Sequence, residues 1–138
     1  MDPDQDALWA ETTDGGLLQQ MFGQYPTIHD AHIHRLEIDR SADQVTMTLQ
    51  YEDEAQGADR GLLVRVRLIW SGVRRLEFEL DGPNISAMTL SAEGDLVRTD
   101  FAPGLQSSGV IVSENFEALL DQVQPAGELP SRLSLRLV

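Results

Sequence analysis

The chain has 138 residues, no Cys, and 23 Asp and Glu against 10 Arg, with no Lys, which gives a formal net charge of −13. This length suits one domain, and the lack of Cys excludes both a disulfide framework and a thiolate zinc site. The anionic excess argues against binding to nucleic acid or to an anionic membrane. No apolar run approaches the ~18 residues of a membrane span, and the start of the chain is acidic rather than basic, so we expect a cytoplasmic protein.

Two short helices are predicted at the start of the chain. Residues 4–13 favour the first, and the second carries four apolar side chains on one face: Leu17, Leu18, Met21 and Phe22. Gly23 is placed to end this helix in the left-handed conformation. Pro26 prevents the helix from resuming and holds Tyr25 extended, so a strand is expected to follow.

Alternation of polar and apolar residues predicts the first two strands. Residues 31–38 form one and residues 45–51 form the other, and an acidic connection follows at residues 52–61. An unbroken alternation in the first strand places four side chains on one face: His32, His34, Leu36 and Ile38.

A β-hairpin is predicted next, with strands at residues 62–70 and 74–81 and a three-residue loop at 71–73. The pairs that this register sets opposite each other are Arg67 with Glu77 and Arg65 with Glu79. Opposite charges across a solvated ladder attract each other. We therefore expect these charges to neutralise one another and this face to be a poor interaction patch.

The C-terminal part predicts further strands and one more helix. The strands are expected at residues 85–92, 96–101 and 132–138, with a buried strand segment at 110–112. Ser113 is placed to cap a helix that ends at Pro125, whose apolar face is Phe116, Leu119, Leu120 and Val123. Residues 1–138 thus predict a single mostly β domain, an antiparallel sheet or sandwich-like fold with two or three short helices.

All three histidines lie within residues 29–34. On a strand, Asp30, His32 and His34 project to the same side, so they could present a carboxylate and two imidazoles to one zinc or iron ion. No fourth histidine exists to complete such a site. The chain also lacks a Gly-x-Ser-x-Gly elbow and the glycine-rich phosphate loops. We therefore predict no enzyme, no metal and no cofactor, and the alternative is a small metal-binding protein or metal-dependent hydrolase at these three residues.

The acidic connection is the candidate partner-binding segment. Its carboxylates are Glu52, Asp53, Glu54 and Asp59. An anionic loop on a rigid sheet can dock against a basic protein and accelerate the encounter. A solvated loop without a partner is the plainer interpretation of the same residues.

One stretch resembles a known family. The run Phe22-Gly-x-Tyr-Pro-x-Ile-His-Asp-Ala31, followed by a strand that ends in Leu36-x-Ile-Asp-Arg40, resembles the opening of the immunity protein 50 family. These are small, mostly β bacterial proteins encoded beside polymorphic toxins. Tyr25 stands where the family has Trp and Ile28 where it has Phe, and the resemblance covers residues 22–40.

The resemblance implies a cytoplasmic inhibitor that binds a cognate toxin stoichiometrically and performs no catalysis. A net charge of −13 would suit a basic toxin. The motif itself is expected to be structural, and its residues are Gly23, Tyr25, Pro26, His29 and Asp30. His29 and Asp30 can hydrogen-bond loop backbone where helix gives way to strand. An acidic β scaffold subunit without a toxin partner is a further alternative.

Overall fold

The computed structural model of the chain describes residues 3–26, 28, 31–54, 61–80, 84–85, 87–101 and 107–125. Two helices and seven strands lie in this part of the chain: α1 (Pro3–Ala10), α2 (Gly15–Phe22), β1 (Ala31–Asp39), β2 (Gln44–Glu54), β3 (Gly61–Leu80), β4 (Asn84–Ile85), β5 (Met88–Glu93), β6 (Leu96–Phe101) and β7 (Ser107–Pro125). The predicted mostly β antiparallel fold with short helices is confirmed. The strand predicted at residues 132–138 lies outside the described residues.

Both predicted helices are present, although α1 ends at Ala10 and not at residue 13. Gly23 ends α2 with φ 79°, and its N–H donates to the carbonyl of Gln19. Leu18 and Phe22 are buried, whereas Leu17 is 45% exposed. Neither described helix combines the length and apolar character needed to cross a membrane.

The strands form one antiparallel sheet in the order β4-β1-β2-β3-β7-β6-β5. The two outermost strands, β4 and β5, follow each other in the chain. Ile85 and Met88 are three residues apart, so the chain between them spans at most about 11 Å. The sheet must therefore curl until its two edges come close together, with the core inside.

The core joins the two halves of this curled sheet. Trp70 on β3 contacts the rings of Phe101 on β6 and Phe116 on β7, at centroid distances of 6.1 and 5.5 Å. Trp9 from α1 packs edge-on against Phe116 at 5.4 Å. The alternation predicted for residues 45–51 is confirmed, since Val45, Met47, Leu49 and Tyr51 are all buried.

The predicted hairpin at residues 71–73 is wrong, because β3 continues through it without reversing. β7 pairs along nearly all of β3 and takes the place of the expected second hairpin strand. Gly72, with φ 62°, and a bulge at Arg74 bend the strand instead. Arg67 consequently lies between Thr48 on β2 and Leu119 on β7, not opposite a glutamate of its own strand.

The predicted helix from Ser113 is also wrong, because residues 113–125 continue β7. The Ser113 hydroxyl donates to the carbonyl of Asn115, at 3.0 Å, rather than capping a helix. A bulge at Asp121 adds one residue to the strand. Leu120 and Val123 therefore share a face although they are three residues apart, and this spacing imitates a helix.

A similar bulge corrects the predicted face of β1. Ile33 pairs with Leu49 and Arg35 with Thr48, so His34 is the additional residue. Beyond it the alternation is inverted, and Leu36 packs against the core. The predicted common face of the two histidines with Leu36 and Ile38 is thus wrong.

The connection between α1 and α2 covers the side of β7 that does not pair with β3. The N–H of Asp14 donates to the Ala118 carbonyl at 3.1 Å, and the carboxylate of Asp14 accepts the N–H of Leu120 at 2.6 Å. Thr13 donates to Glu117 through its N–H and its hydroxyl. Partial burial raises the pKa of Glu117, but these hydrogen bonds outweigh it and lower the pKa overall. This edge is therefore closed to pairing with another strand.

Candidate binding surface

The acidic candidate residues lie on a strand for most of their length. β2 extends through Glu54, and Glu52, Asp53 and Glu54 pair with Leu63, Leu62 and Gly61 of β3. Their assignment to a loop is therefore wrong, because the backbone ladder continues past the apolar part of β2. The side chain of Glu52 is exposed. Asp59 lies outside the described residues.

The residues of the resemblance motif fall at the entry to β1. Gly23 ends α2, Tyr25 is half-buried and Pro26 is buried. Ile28 is fully buried with φ 46°, a conformation that a β-branched residue rarely adopts. The roles predicted for His29 and Asp30 concern residues outside the described part of the chain.

Four strands expose a polar face away from the core, here called the outer face. Three cross-strand rows of side chains run over β1, β2, β3 and β7 in that order. These rows are His32, Gln50, Arg65 and Gln122; Arg35, Thr48, Arg67 and Leu119; and Glu37, Thr46, Ile69 and Glu117. Polar side chains dominate all three rows, which is typical of the solvated face of an antiparallel sheet.

Two bulges add one side chain each to this face. His34 is the additional residue of β1, and Asp121 is the additional residue of β7. Both fall between the row of Arg65 and the row of Arg67. Bulges redirect side chains and are frequent beside functional sites. The outer face therefore carries an imidazole and a carboxylate that a regular ladder would not place there.

A groove of about 510 Å³ follows this face and is called here the outer groove. Its lining residues are His34, Arg35, Glu37, Gln44, Thr46, Thr48, Arg65, Arg67, Ile69 and Asp121. Arg35 pairs with Glu37, and Arg67 pairs with Asp121 at 2.7 Å. The sequence predicted that arginines and glutamates would neutralise one another across a hairpin. That hairpin does not exist, and the two ion pairs named here are formed instead. The face predicted to be a poor interaction patch contains this concave polar site.

Arg65 differs from the other two arginines of the outer groove. Its Nη2 donates to Oε1 of Gln50 at 3.0 Å. Its Nε is inaccessible to solvent and has no hydrogen-bond partner among the residues that the structure describes. Within the same residues it forms no ion pair with a carboxylate.

The surroundings of His34 favour its neutral form. Partial burial lowers its pKa, and the positive charges of Arg65 and Arg35 and the neighbouring His32 lower it further. Asp121 acts in the opposite direction and does not overcome them. A neutral imidazole offers one N–H donor and one acceptor nitrogen to the groove.

The described residues contain no cluster of metal-ligating side chains that would support the metal-binding alternative. In that part of the chain, no group of three or more His, Asp or Glu side chains is arranged to hold an ion. His32 and His34 both lie on the outer face, but Asp30 is outside the described residues. The three-residue site therefore stays what it was at the level of sequence, an alternative to the prediction of no metal.

A second concave region lies at the opposite end of β2 from Glu52. This cleft of about 310 Å³, called here the turn cleft, lies between the β1–β2 turn and the second half of β3, and its lining mixes apolar with charged residues. Ile38 and Leu76, 52% and 37% exposed, line it. The carboxylate of Asp39 accepts hydrogen bonds from the N–H and hydroxyl of Ser41 and from the N–H of Ala42. These hydrogen bonds lower the pKa of Asp39, and the bond from the Ser41 hydroxyl contributes most. The turn that borders the turn cleft is thus held in a defined conformation.

Comparison of the chain with models of known protein families, with characterised proteins and with solved structures finds no match. The sequence signal for the outer face was the polar alternation of β2 together with Arg65 and Arg67. No signal in the sequence marked the bulges that bring His34 and Asp121 onto it.

Proposed function

We propose that this chain is a cytoplasmic immunity-type protein that binds a basic toxin domain and neutralises it by stoichiometric inhibition. The observation that carries the proposal is the distribution of charge. Such a protein needs affinity, speed and specificity for its partner, and it needs no catalytic residue. The resemblance of residues 22–40 to the immunity protein 50 family supports the same function.

The arginines of the sheet are largely occupied by carboxylates of the same molecule. The pairs are Arg35 with Glu37, Arg67 with Asp121, Arg74 with Glu114, Arg75 with Glu77, and Arg98 with Glu93 and Asp100. These pairs use 5 of the 10 Arg and 6 of the 23 Asp and Glu, which leaves 17 carboxylates against 5 Arg in the rest of the chain. The surplus charge produces a negative field that attracts a cationic partner and accelerates association.

The acidic end of β2 is the contact region that we favour within this field. Glu52, Asp53 and Glu54 are attached to a paired strand, so their backbone is fixed before the partner arrives. Fixed charges lose less conformational entropy on binding than charges on a mobile segment do. Ile38 and Leu76 in the turn cleft, which begins about seven residues or ~24 Å away along β2, supply exposed apolar area for a partner of ordinary size.

The test is the association rate with the toxin domain encoded directly beside this chain's reading frame. The variant Glu52→Gln, Asp53→Asn, Glu54→Gln removes three charges at the favoured region. We expect it to associate several-fold more slowly at low salt and with a weaker salt dependence, because electrostatic steering is lost. The measurement is stopped-flow or surface-immobilised binding kinetics between 20 and about 300 mM NaCl.

A matched control removes the same number of charges elsewhere. Glu11, Glu79 and Asp95 are exposed and lie away from this end of β2. Changing them to Gln, Gln and Asn alters the net charge equally, so it should affect association much less. Equal slowing by both variants would disprove the contact region, and a neighbouring toxin domain that does not bind at all would contradict the function.

The metal-dependent alternative is separated by elemental analysis of protein purified without a histidine tag. Stoichiometric zinc or iron that is lost in the His32→Ala variant would favour that alternative. We expect no metal above background, in which case a metal-dependent activity has no support.

A further inference from the structure

The outer groove places cations where the rest of the molecule is anionic. Three of its lining residues are arginines, in a chain whose net charge is −13. Arg35 and Arg67 are each paired with a carboxylate, whereas Arg65 has only the amide of Gln50 among the described residues. A guanidinium offers five N–H donors; with Nε shielded from solvent and one N–H of Nη2 given to Gln50, Arg65 retains three N–H groups on Nη1 and Nη2 for a ligand.

The groups around Arg65 are suited to an anion. Thr46 and Thr48 line the groove from β2 and carry hydroxyl donors, and the imidazole of His34 adds an N–H donor from its bulge. Asp121 is the nearby carboxylate on β7, and it is held by Arg67 at 2.7 Å. The groove thus combines an uncompensated cation with neutral donors, and its local carboxylates are already paired.

We propose that the outer groove binds an anionic group, a carboxylate or a phosphate, with Arg65 as its principal ligand. Both groups present two oxygens at the spacing of the guanidinium fork and accept bidentate hydrogen bonds from it. The bulges at His34 and Asp121 frame the site, because each adds one side chain between the Arg65 row and the Arg67 row, His34 on β1 and Asp121 on β7. This anion site is independent of the proposed toxin binding, because its ligand is negatively charged whereas the proposed toxin is positively charged.

The test is a titration of the full chain followed by ¹⁵N NMR, which reports the backbone amides and the Nε–H of arginines. The probes are inorganic phosphate, acetate and a capped Glu-Glu peptide, each added at constant ionic strength set with chloride. We expect saturable shifts confined to the outer groove, including Arg65 and Thr48. Tighter binding of phosphate would indicate a small phosphorylated ligand, and tighter binding of the peptide would indicate an acidic side chain of a partner.

Two variants and a control make the test specific. Arg65→Gln should weaken binding at least tenfold, because the fork is lost. Asp121→Asn should strengthen binding several-fold, because it removes a competing carboxylate and releases Arg67. The control Arg75→Gln changes the net charge as Arg65→Gln does but concerns an exposed arginine that is paired with Glu77, so it should leave binding unchanged.

The spectra of the free variants show directly whether each is folded. Shifts that do not saturate, or that spread over the whole surface, would overturn the proposal. Equal weakening by Arg65→Gln and Arg75→Gln would also overturn it, since it would indicate a response to net charge alone. If Arg65→Gln does not fold, Asp121→Asn becomes the deciding variant. Weaker anion binding by Asp121→Asn than by the unchanged protein would then overturn the proposal.

Discussion

Trp70 and Thr99 form a hydrogen bond in the centre of the core. Nε1 of Trp70 donates to the Thr99 hydroxyl at 2.8 Å, and both residues are fully buried. The bond joins β3 to β6, which are not neighbours in the sheet. Because water cannot reach either group, each one depends on the other for its hydrogen bond.

Replacing Thr99 with Val keeps the shape of the side chain and leaves the indole N–H buried without a partner. We expect Thr99→Val to lower the free energy of unfolding by about 1–3 kcal/mol. The measurement is urea unfolding followed by tryptophan fluorescence and circular dichroism. Thr89→Val, on an exposed position of β5, is the matched control and should change stability by less than about 0.5 kcal/mol. A loss for Thr99→Val no larger than that of the control would show that this bond adds nothing to stability.

At the scale of whole elements, the sequence predicted the helices and strands whose signal lies within their own residues. β2 follows from alternation alone, and α2 from its apolar face and Gly23. The buried strand segment predicted at residues 110–112 is part of β7, but the rest of β7 was missed because its bulge places Leu120 and Val123 at a helical spacing, and only the pairing with β3 reveals it as a strand. Tertiary pairing decides such a segment, not its own propensity.

The candidate site shows the same division. The alternation of Arg65 and Arg67 could be read from the sequence, and it correctly places them on one face of β3. Their partners could not be read, because the neighbours on that face come from β2 and β7. The groove depends on cross-strand register and on the bulges at His34 and Asp121. Both are properties of strand pairing and not of any single strand.

The contact between the two helices depends on one glycine. A Cβ added to Gly15 would overlap the backbone carbonyl of Trp9 and lie against the Thr12 hydroxyl. Backbone atoms cannot move aside as the end of a flexible side chain can. At the next position, Gly16, a Cβ would meet no atom within 4 Å.

Gly15→Ala and Gly16→Ala therefore form a matched pair of substitutions on one helix. We expect Gly15→Ala to destabilise the protein by about 2 kcal/mol or more, because α1 and α2 must separate to admit the methyl group. Gly16→Ala should stabilise it by about 0.5–1 kcal/mol, since alanine favours the helix. The measurement is the midpoint of urea unfolding. Effects of the same sign and size at both positions would contradict the close packing of α1 against the start of α2.

At the scale of the whole molecule, repulsion between the excess negative charges destabilises the folded state. A net charge of −13 on 138 residues creates repulsion that the compact state must bear. The ion pairs on the sheet are partly exposed, and exposed pairs contribute little to stability. Long-range repulsion should therefore outweigh local attraction at neutral pH.

Moderate salt should accordingly stabilise the protein at pH 7. Raising NaCl from 0.01 to 0.1 M shortens the Debye length from about 30 to about 10 Å, which screens the long-range repulsion. We expect an increase on the order of 1 kcal/mol in the free energy of unfolding, or roughly 3–5 °C in Tm. The control is the same pair of salt concentrations near pH 4.3, the isoelectric point, where there is no net charge to screen. There the salt should have no effect or should destabilise slightly, because only attraction between opposite charges remains to be weakened. An equal rise in Tm at both pH values would contradict repulsion as the cause, since it would indicate a general effect of the salt on burial of the protein surface.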